Sequence, residues 1–135
     1  MKFHKQYFSL KSKKREQFIS ISSDLNNLLE KVEAKAGLMK IFIPHTTAAI
    51  TINQNANPDV VTDINTILSN LIPQQRLLNV EKNSDAHFKS SIFGSSLEIP
   101  FEEGKLDLGE WQGVFFCEFD GPRTRNLKIQ IWSYE

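Results

Sequence analysis

The chain has one cysteine, Cys117, among its 135 residues, so no internal disulfide can form. No second cysteine or histidine lies close enough in sequence to make a zinc knuckle, and Cys117 is expected to be a small apolar side chain on a buried strand. Net charge is lacking as well. Lysine plus arginine and aspartate plus glutamate number 16 each, which leaves no global field to recruit nucleic acid or an anionic membrane. Met1 to Leu10 carries scattered polar residues and no apolar stretch of signal-peptide or membrane-spanning length, so a soluble, cytoplasmic protein without a membrane partner is expected. There is no repeat and no low-complexity segment. There is also no dedicated diphosphate motif such as a Walker loop or an aspartate-rich helix.

What is present fits one domain over residues 1–135, long enough to bury roughly two-thirds of the surface its unfolded form exposes. Phe3 to Phe8 and Gln17 to Ile21 carry aromatic and β-branched residues around the basic run Lys11-Ser12-Lys13-Lys14-Arg15, a pattern that predicts an edge hairpin with a solvated tip. A helix capped by Ser23 follows, with Leu25, Leu28, Leu29 and Val32 at helical spacing and Gly37 as its stop. Leu38 to Ile43 is a short apolar run typical of a central strand, ended by Pro44. From Thr47 onward strict alternation predicts a strand with Ala48, Ile50 and Ile52 on a core face and a polar face opposite.

Asn57-Pro58 opens a second helix as cap and first residue, and Val60, Val61, Ile64, Ile67, Leu68 and Leu71 form its broad apolar stripe before Pro73. After a polar loop, Ser84 caps a short helix on which His87, Ser90 and Ser91 share one side while Phe88 and Ile92 anchor inward. Strands over Ser96 to Ile99, Trp111 to Phe119 and Leu127 to Trp132 complete the chain. Strands at both ends with helices between them predict an α+β domain of largely antiparallel sheet, with two main helices and one short helix.

Several polar groups can carry chemistry. His45 follows a strand-ending proline beside Thr46 and Thr47, and neutral imidazoles there and at His87 can ligate a metal or hand protons on. Lys89, Ser90 and Ser91 with Thr46 and Thr47 offer an ammonium and hydroxyls to a phosphate. Arg123 in the turn Gly121-Pro122-Arg123, with Arg125 two residues on, presents a planar fork suited to the same anion. Glu118 shares a strand face with Val114 and Phe116, where a carboxylate is costly unless paired or functional. It is expected to support a histidine, ligate a metal or act as a base, with an ion pair to Arg123 or Arg125 as the alternative. Trp111 and Phe115 are expected in the core or a subunit interface.

Read with Ile52-Asn53-Gln54-Asn55, Ala86-His87-Phe88-Lys89-Ser90-Ser91, Leu108-Gly109-Glu110-Trp111-Gln112 and Glu118-Phe119-Asp120-Gly121-Pro122-Arg123, the segment His45-Thr46-Thr47-Ala48 resembles the YjbQ-type family of secondary thiamine-phosphate synthases. The resemblance implies the same α+β fold and a homotrimer. It also implies the joining of hydroxymethylpyrimidine diphosphate to thiazole phosphate with release of diphosphate, a small phosphorylated metabolite as partner, and catalytic roles for His45, His87 and Glu118. A divalent metal, Zn or Mg, at His45 and His87 would fit that site. The chain departs from the family pattern where Gln54 replaces a glutamate, Asn57 an aspartate, and Leu77 and Asn79 a Tyr-x-His pair. With Asn79 in place of a third histidine, a zinc site loses a ligand. The alternative is therefore a non-enzymatic trimeric protein that binds an anion or phosphorylated metabolite at a degenerate metal site.

Overall fold

A computed structural model describes residues 1–134. Eight strands form two antiparallel sheets packed face to face. The larger has the order β1-β8-β3-β5-β6, with β1 at Lys2–Lys11, β3 at Gly37–Phe42, β5 at Ser96–Glu102, β6 at Lys105–Leu106 and β8 at Thr124–Ser133. The smaller has the order β2-β7-β4, with β2 at Gln17–Ser20, β4 at Ala48–Gln54 and β7 at Gln112–Glu118. Helices α1 (Ser22–Lys31), α2 (Pro58–Leu71) and α3 (Ser84–Phe93) complete the α+β domain.

The expected hairpin of the first two strands does not form. β1 pairs along its whole length with β8, and β2 pairs with β7, so the basic run between them crosses from one sheet to the other. Ten residues of register with β8 outcompete the four that β2 could offer. Alternation then builds the main core: Met39, Ile41, Ile99, Leu127, Ile129 and Ile131 from the large sheet meet Ile50, Val114 and Phe116 from the small one, with Leu25 and Leu29 of α1 closing an edge. Each such side chain contributes about 1.5–3 kcal/mol by leaving water.

β4 is buried on both faces, not one. Ala49 and Cys117 face away from the main core and meet Leu68 of α2, Ala86 of α3 and Phe119 in a second cluster. Burial there pushes the Cys117 thiol far above its ordinary pKa, as an apolar strand residue requires.

The helix ends show which local signals hold. Asn57 caps α2, accepting from Asp59 N–H at 3.0 Å, with Pro58 as the first helical residue. Ser23 lies inside α1, whose N-cap is Ile21, and α3 starts after Asn83, not Ser84. Gly37 does not stop α1. The helix ends at Val32 with Glu33 at φ 58°, closed by Ala34 N–H to Leu29 O and Glu33 N–H to Glu30 O at 3.0 Å each. Gly37 serves β3 instead, because a Cβ there would lie 1.8 Å from Trp132 O.

Candidate functional site

At one end of the sandwich, the turn after β3, the loop before α3 and the 119–125 turn enclose a cleft of about 600 Å³ whose walls include His45, Thr46, Thr47, His87, Asp120 and Arg123. It opens into a hollow of about 380 Å³ lined by His45, His87, Ser90 and Ser91. The two imidazoles, 42 residues apart in sequence, thus border the same space. Pro44 ends β3 and turns His45 into it, and helical spacing aims His87, Ser90 and Ser91 the same way. A larger hollow of about 940 Å³ between α1 and the β5–β6 turn holds Glu30, Glu33, Glu103, Lys35 and Lys105, but no residue singled out by its chemistry.

His45 is fixed by the main chain of β8. Nε2 lies 3.0 Å from Asn126 N–H and 3.2 Å from Asn126 O, and the shorter contact favours the tautomer in which Asn126 N–H donates and the ring proton is on Nδ1. Burial and the nearby Arg125 charge hold its pKa below the ordinary histidine value. In that tautomer Nδ1 offers a proton, and in either one Nε2 is engaged by Asn126. His87 is exposed on α3.

Glu118 and Arg125 face each other across the two sheets at the base of the cleft, which Arg125 borders. Glu118 is fully buried and takes four donors: Ser12 Oγ at 2.6 Å and Arg125 Nε at 2.9 Å on one oxygen, Arg125 Nη2 and Asp120 N–H on the other. Burial alone would raise its pKa, but Arg125, then Ser12 and the Asp120 amide, outweigh this and hold it below the usual carboxylate range. Arg125 Nη2 also reaches Thr47 Oγ1 at 2.9 Å. Of the readings open for Glu118, the arrangement matches the ion pair with Arg125. Its two oxygens already take four donors, and Arg125 Nε and Nη2 and Thr47 Oγ1 join this network, while Arg125 and Thr47 still border the cleft.

Arg123 stands above that floor with its side chain 52 % exposed. Its Nε donates to Asp120 O at 2.6 Å and its Nη2 to Asp120 Oδ2 at 2.8 Å, contacts that do not use Nη1, and the residue borders the cleft. Asp120 Oδ2 also accepts from Asn83 Nδ2 at 2.9 Å, and Asn79 donates in turn to Asn83 Oδ1. Asn79 thus braces the cleft wall through Asn83 and also accepts from Glu81 N–H at 3.0 Å. Gln54 and Asn57 lie at the opposite end of β4 from Ala48, about 20 Å of strand away, so their lost charges do not act on this cleft within one chain.

Lys89 lies elsewhere than expected. It is fully buried, with Nζ 3.5 Å from Glu16 and 3.6 Å from Asp85, and does not line the cleft. Asp85 is itself paired with Arg15 through two contacts at 3.0 Å. The buried face of α3 is Asp85, Ala86, Lys89 and Ser90, so Phe88 and Ile92, expected to anchor inward, are 55 % and 56 % exposed. Ser90 Oγ donates to Ala48 O at 2.7 Å and Ser91 Oγ to His87 O at 3.1 Å, so both hydroxyl protons are committed to the main chain. Phe115 is buried as expected, whereas Trp111 is 59 % exposed.

Within one chain the donor set does not make a resident zinc site. Among the described residues no three His, Cys, Asp or Glu side chains are grouped to hold a metal, and His45 offers only Nδ1. Sequence reasoning assigned no role to Asp120, Asn83 or Ser12. Asp120 could have been found, since it stands between Glu118 and Arg123 in a turn already marked as polar. Ser12 could not, because only the crossing of β1 to β2 brings it to Glu118.

These features define a small two-sheet α+β protein with a polar, imidazole-lined cleft at one end. The chain belongs to the YjbQ-like UPF0047 protein family, whose model matches residues 6–134. It is 46% identical over 125 residues to the UPF0047 protein MJ1081 of Methanocaldococcus jannaschii, covering 92% of this chain and 91% of that one. Against the UPF0047 protein YugU of Bacillus subtilis it is 43% identical over 124 residues, covering 90% and 94% of the two chains. A crystal structure of a YjbQ/UPF0047 protein from Clostridium acetobutylicum superposes with a TM-score of 0.89 at 44% identity, over 94% of this chain and 99% of that one. No helix among the described residues is long and apolar enough to cross a membrane.

Proposed function

We propose that the cleft between His45 and His87 binds a small phosphorylated metabolite, and that the reaction it serves is the one implied by the sequence resemblance: attack of thiazole phosphate nitrogen on the methylene of hydroxymethylpyrimidine diphosphate, with departure of diphosphate. The observation that carries this reading is the convergence of His45, the exposed His87, and the Arg123 and Arg125 guanidinium groups on one open space. An arginine edge and imidazole donors suit phosphate oxygens. Departure of diphosphate asks for charge stabilisation, which the Arg123 guanidinium and neutral imidazole N–H donors supply.

A second reading, a non-enzymatic binder of a phosphorylated metabolite or other anion, is favoured by one observation. Of the three cations expected to clamp the ligand, Lys89 is sequestered and Arg125 is neutralised by Glu118, so the cleft's charge matches one phosphate better than a diphosphate. In either reading the protein acts in the cytoplasm as a homotrimer. Assembly is supported by the apolar side chains that α2 and its following loop leave uncovered, Ile67, Leu71, Leu77 and Leu78.

Incubating the protein with both precursors and following thiamine phosphate by mass spectrometry separates the two. Product that disappears in His87→Ala supports the enzyme. Saturable binding of inorganic phosphate without product supports the binder, and neither product nor binding defeats both.

A further inference from the structure

Among the described residues α1 reaches the five-stranded sheet at its β6 edge and the other main helix contacts go to β2, β4 and β7, which leaves the outer side of β1, β8 and β3 open. Strand register arranges this face in rows. Phe3, Trp132 and Leu38 lie side by side across β1, β8 and β3, followed by Lys5, Gln130 and Lys40, then Tyr7, Lys128 and Phe42. Tyr7 is 73% exposed, Phe3 47% and Phe42 39%, and the Phe3 and Trp132 rings are 5.2 Å apart.

Two hollows flank Lys128 on this face. One of about 210 Å³ is bordered by Tyr7, Lys5 and Lys128, the other of about 190 Å³ by Phe42, Lys40 and Lys128. Each combines one aromatic ring with two ammonium groups, and the rings stand two strand spacings apart, on the order of 10 Å. None of the three lysines is in an ion pair among the described residues, and Glu98, opposite Lys40, is the one acidic partner that these rows meet.

We propose that this face binds a short stretch of single-stranded nucleic acid, with bases stacking on Tyr7 and Phe42 and phosphates held by Lys5, Lys40 and Lys128. Interleaved rings and cations on an open sheet are what such a ligand requires: every base has a stacking face, and the backbone is read by charge. The zero net charge of the chain removes long-range attraction but not this local field. A second copy of the chain seated face to face would set the lysine rows against each other, so charge complementarity selects a polyanion. The site is separate from the His45 cleft apart from Phe42, which borders both, and it does not depend on the function proposed for that cleft.

The test is fluorescence anisotropy with labelled ten-nucleotide oligothymidylate and oligouridylate over a series of potassium chloride concentrations. Three contacted phosphates predict a slope of about −2 in log affinity against log salt. Lys128→Gln should flatten it by about 0.7, and Tyr7→Ala should weaken binding at least about fivefold with the slope kept. Both residues are exposed, and circular dichroism confirms that the variants fold. Three results overturn the proposal: no salt-dependent binding; binding that both variants leave intact or that a duplex of equal length matches; or a change of oligomeric state in either variant, which would make this face a contact between copies. Preferential capture by phosphatidylserine vesicles over the oligonucleotides would reassign it to a lipid surface.

Discussion

Glu118 on β7 and Arg125 on β8 join the two sheets at the cleft end of the sandwich: Arg125 Nε meets Glu118 Oε1 at 2.9 Å, and its Nη2 engages the other oxygen. The pair is buried on both sides and continues to Ser12, Thr47 and the Asp120 amide. Replacing one partner strands the other charge without water, so Glu118→Ala should cost about 3–5 kcal/mol in urea unfolding. An activity loss with unchanged stability would instead place Glu118 in the chemistry.

The same pair sets a response to acid. The Glu118 pKa is depressed in the folded state, so the folded form binds its proton later than the unfolded form does. Its stabilisation is complete above the unfolded carboxylate value of about 4.3 and is lost as pH falls through the lower folded value. Stability measured from neutral pH down through that window should fall steeply in the wild type and more shallowly in Glu118→Gln.

His45 should titrate below the ordinary value of about 6.5, because burial and Arg125 disfavour its charged form. The unfolded state then takes up the proton first, so this contribution to stability is whole above about 6.5 and shrinks as pH falls toward the folded pKa. Long-range nitrogen–proton spectra at neutral pH should show the proton on Nδ1. A proton on Nε2 would mean that His45 donates to Asn126 O, the alternative contact at 3.2 Å.

Lys89 separates structure from binding. Lys89→Ala leaves Glu16 and Asp85 facing a cavity beside Phe119, which should lower stability by about 3 kcal/mol. Its affinity for inorganic phosphate, measured by calorimetry on the folded protein, should equal that of the wild type. Lost affinity would show that the ammonium reaches the ligand after all.

Much of this arrangement was legible in the chain and some was not, for physical reasons. The Asn57-Pro58 start of α2 and the strands ending at Phe42 and Glu118 follow from local chemistry that the tertiary fold does not oppose. The pairing of β1 with β8 is a contact between opposite ends of the chain, and no local turn signal reports it. α3 misleads because its buried side is Asp85 and Lys89, held by charges from the segment before β2, while its apolar Phe88 and Ile92 face outward. The histidines could be found because polar side chains after a strand-ending proline and on one side of a helix announce a cleft. Which cations are left for a ligand depended on side-chain partners: Arg125 borders the cleft but is paired with Glu118, and Lys89 is held by Asp85 and Glu16.

Arg125 also borders the cleft but is paired with the buried Glu118, so Arg123 is the exposed guanidinium there, and its role is the account's central claim. Titration of inorganic phosphate into the isotope-labelled protein, followed at the Arg123 guanidinium and the His45 and His87 rings, tests it directly. The account predicts that all three shift together along one saturable curve, that Arg123→Ala weakens binding by about ten- to a hundredfold, and that Arg123→Lys recovers part of it. Full phosphate affinity in Arg123→Ala, or shifts confined to residues outside the cleft, would contradict it.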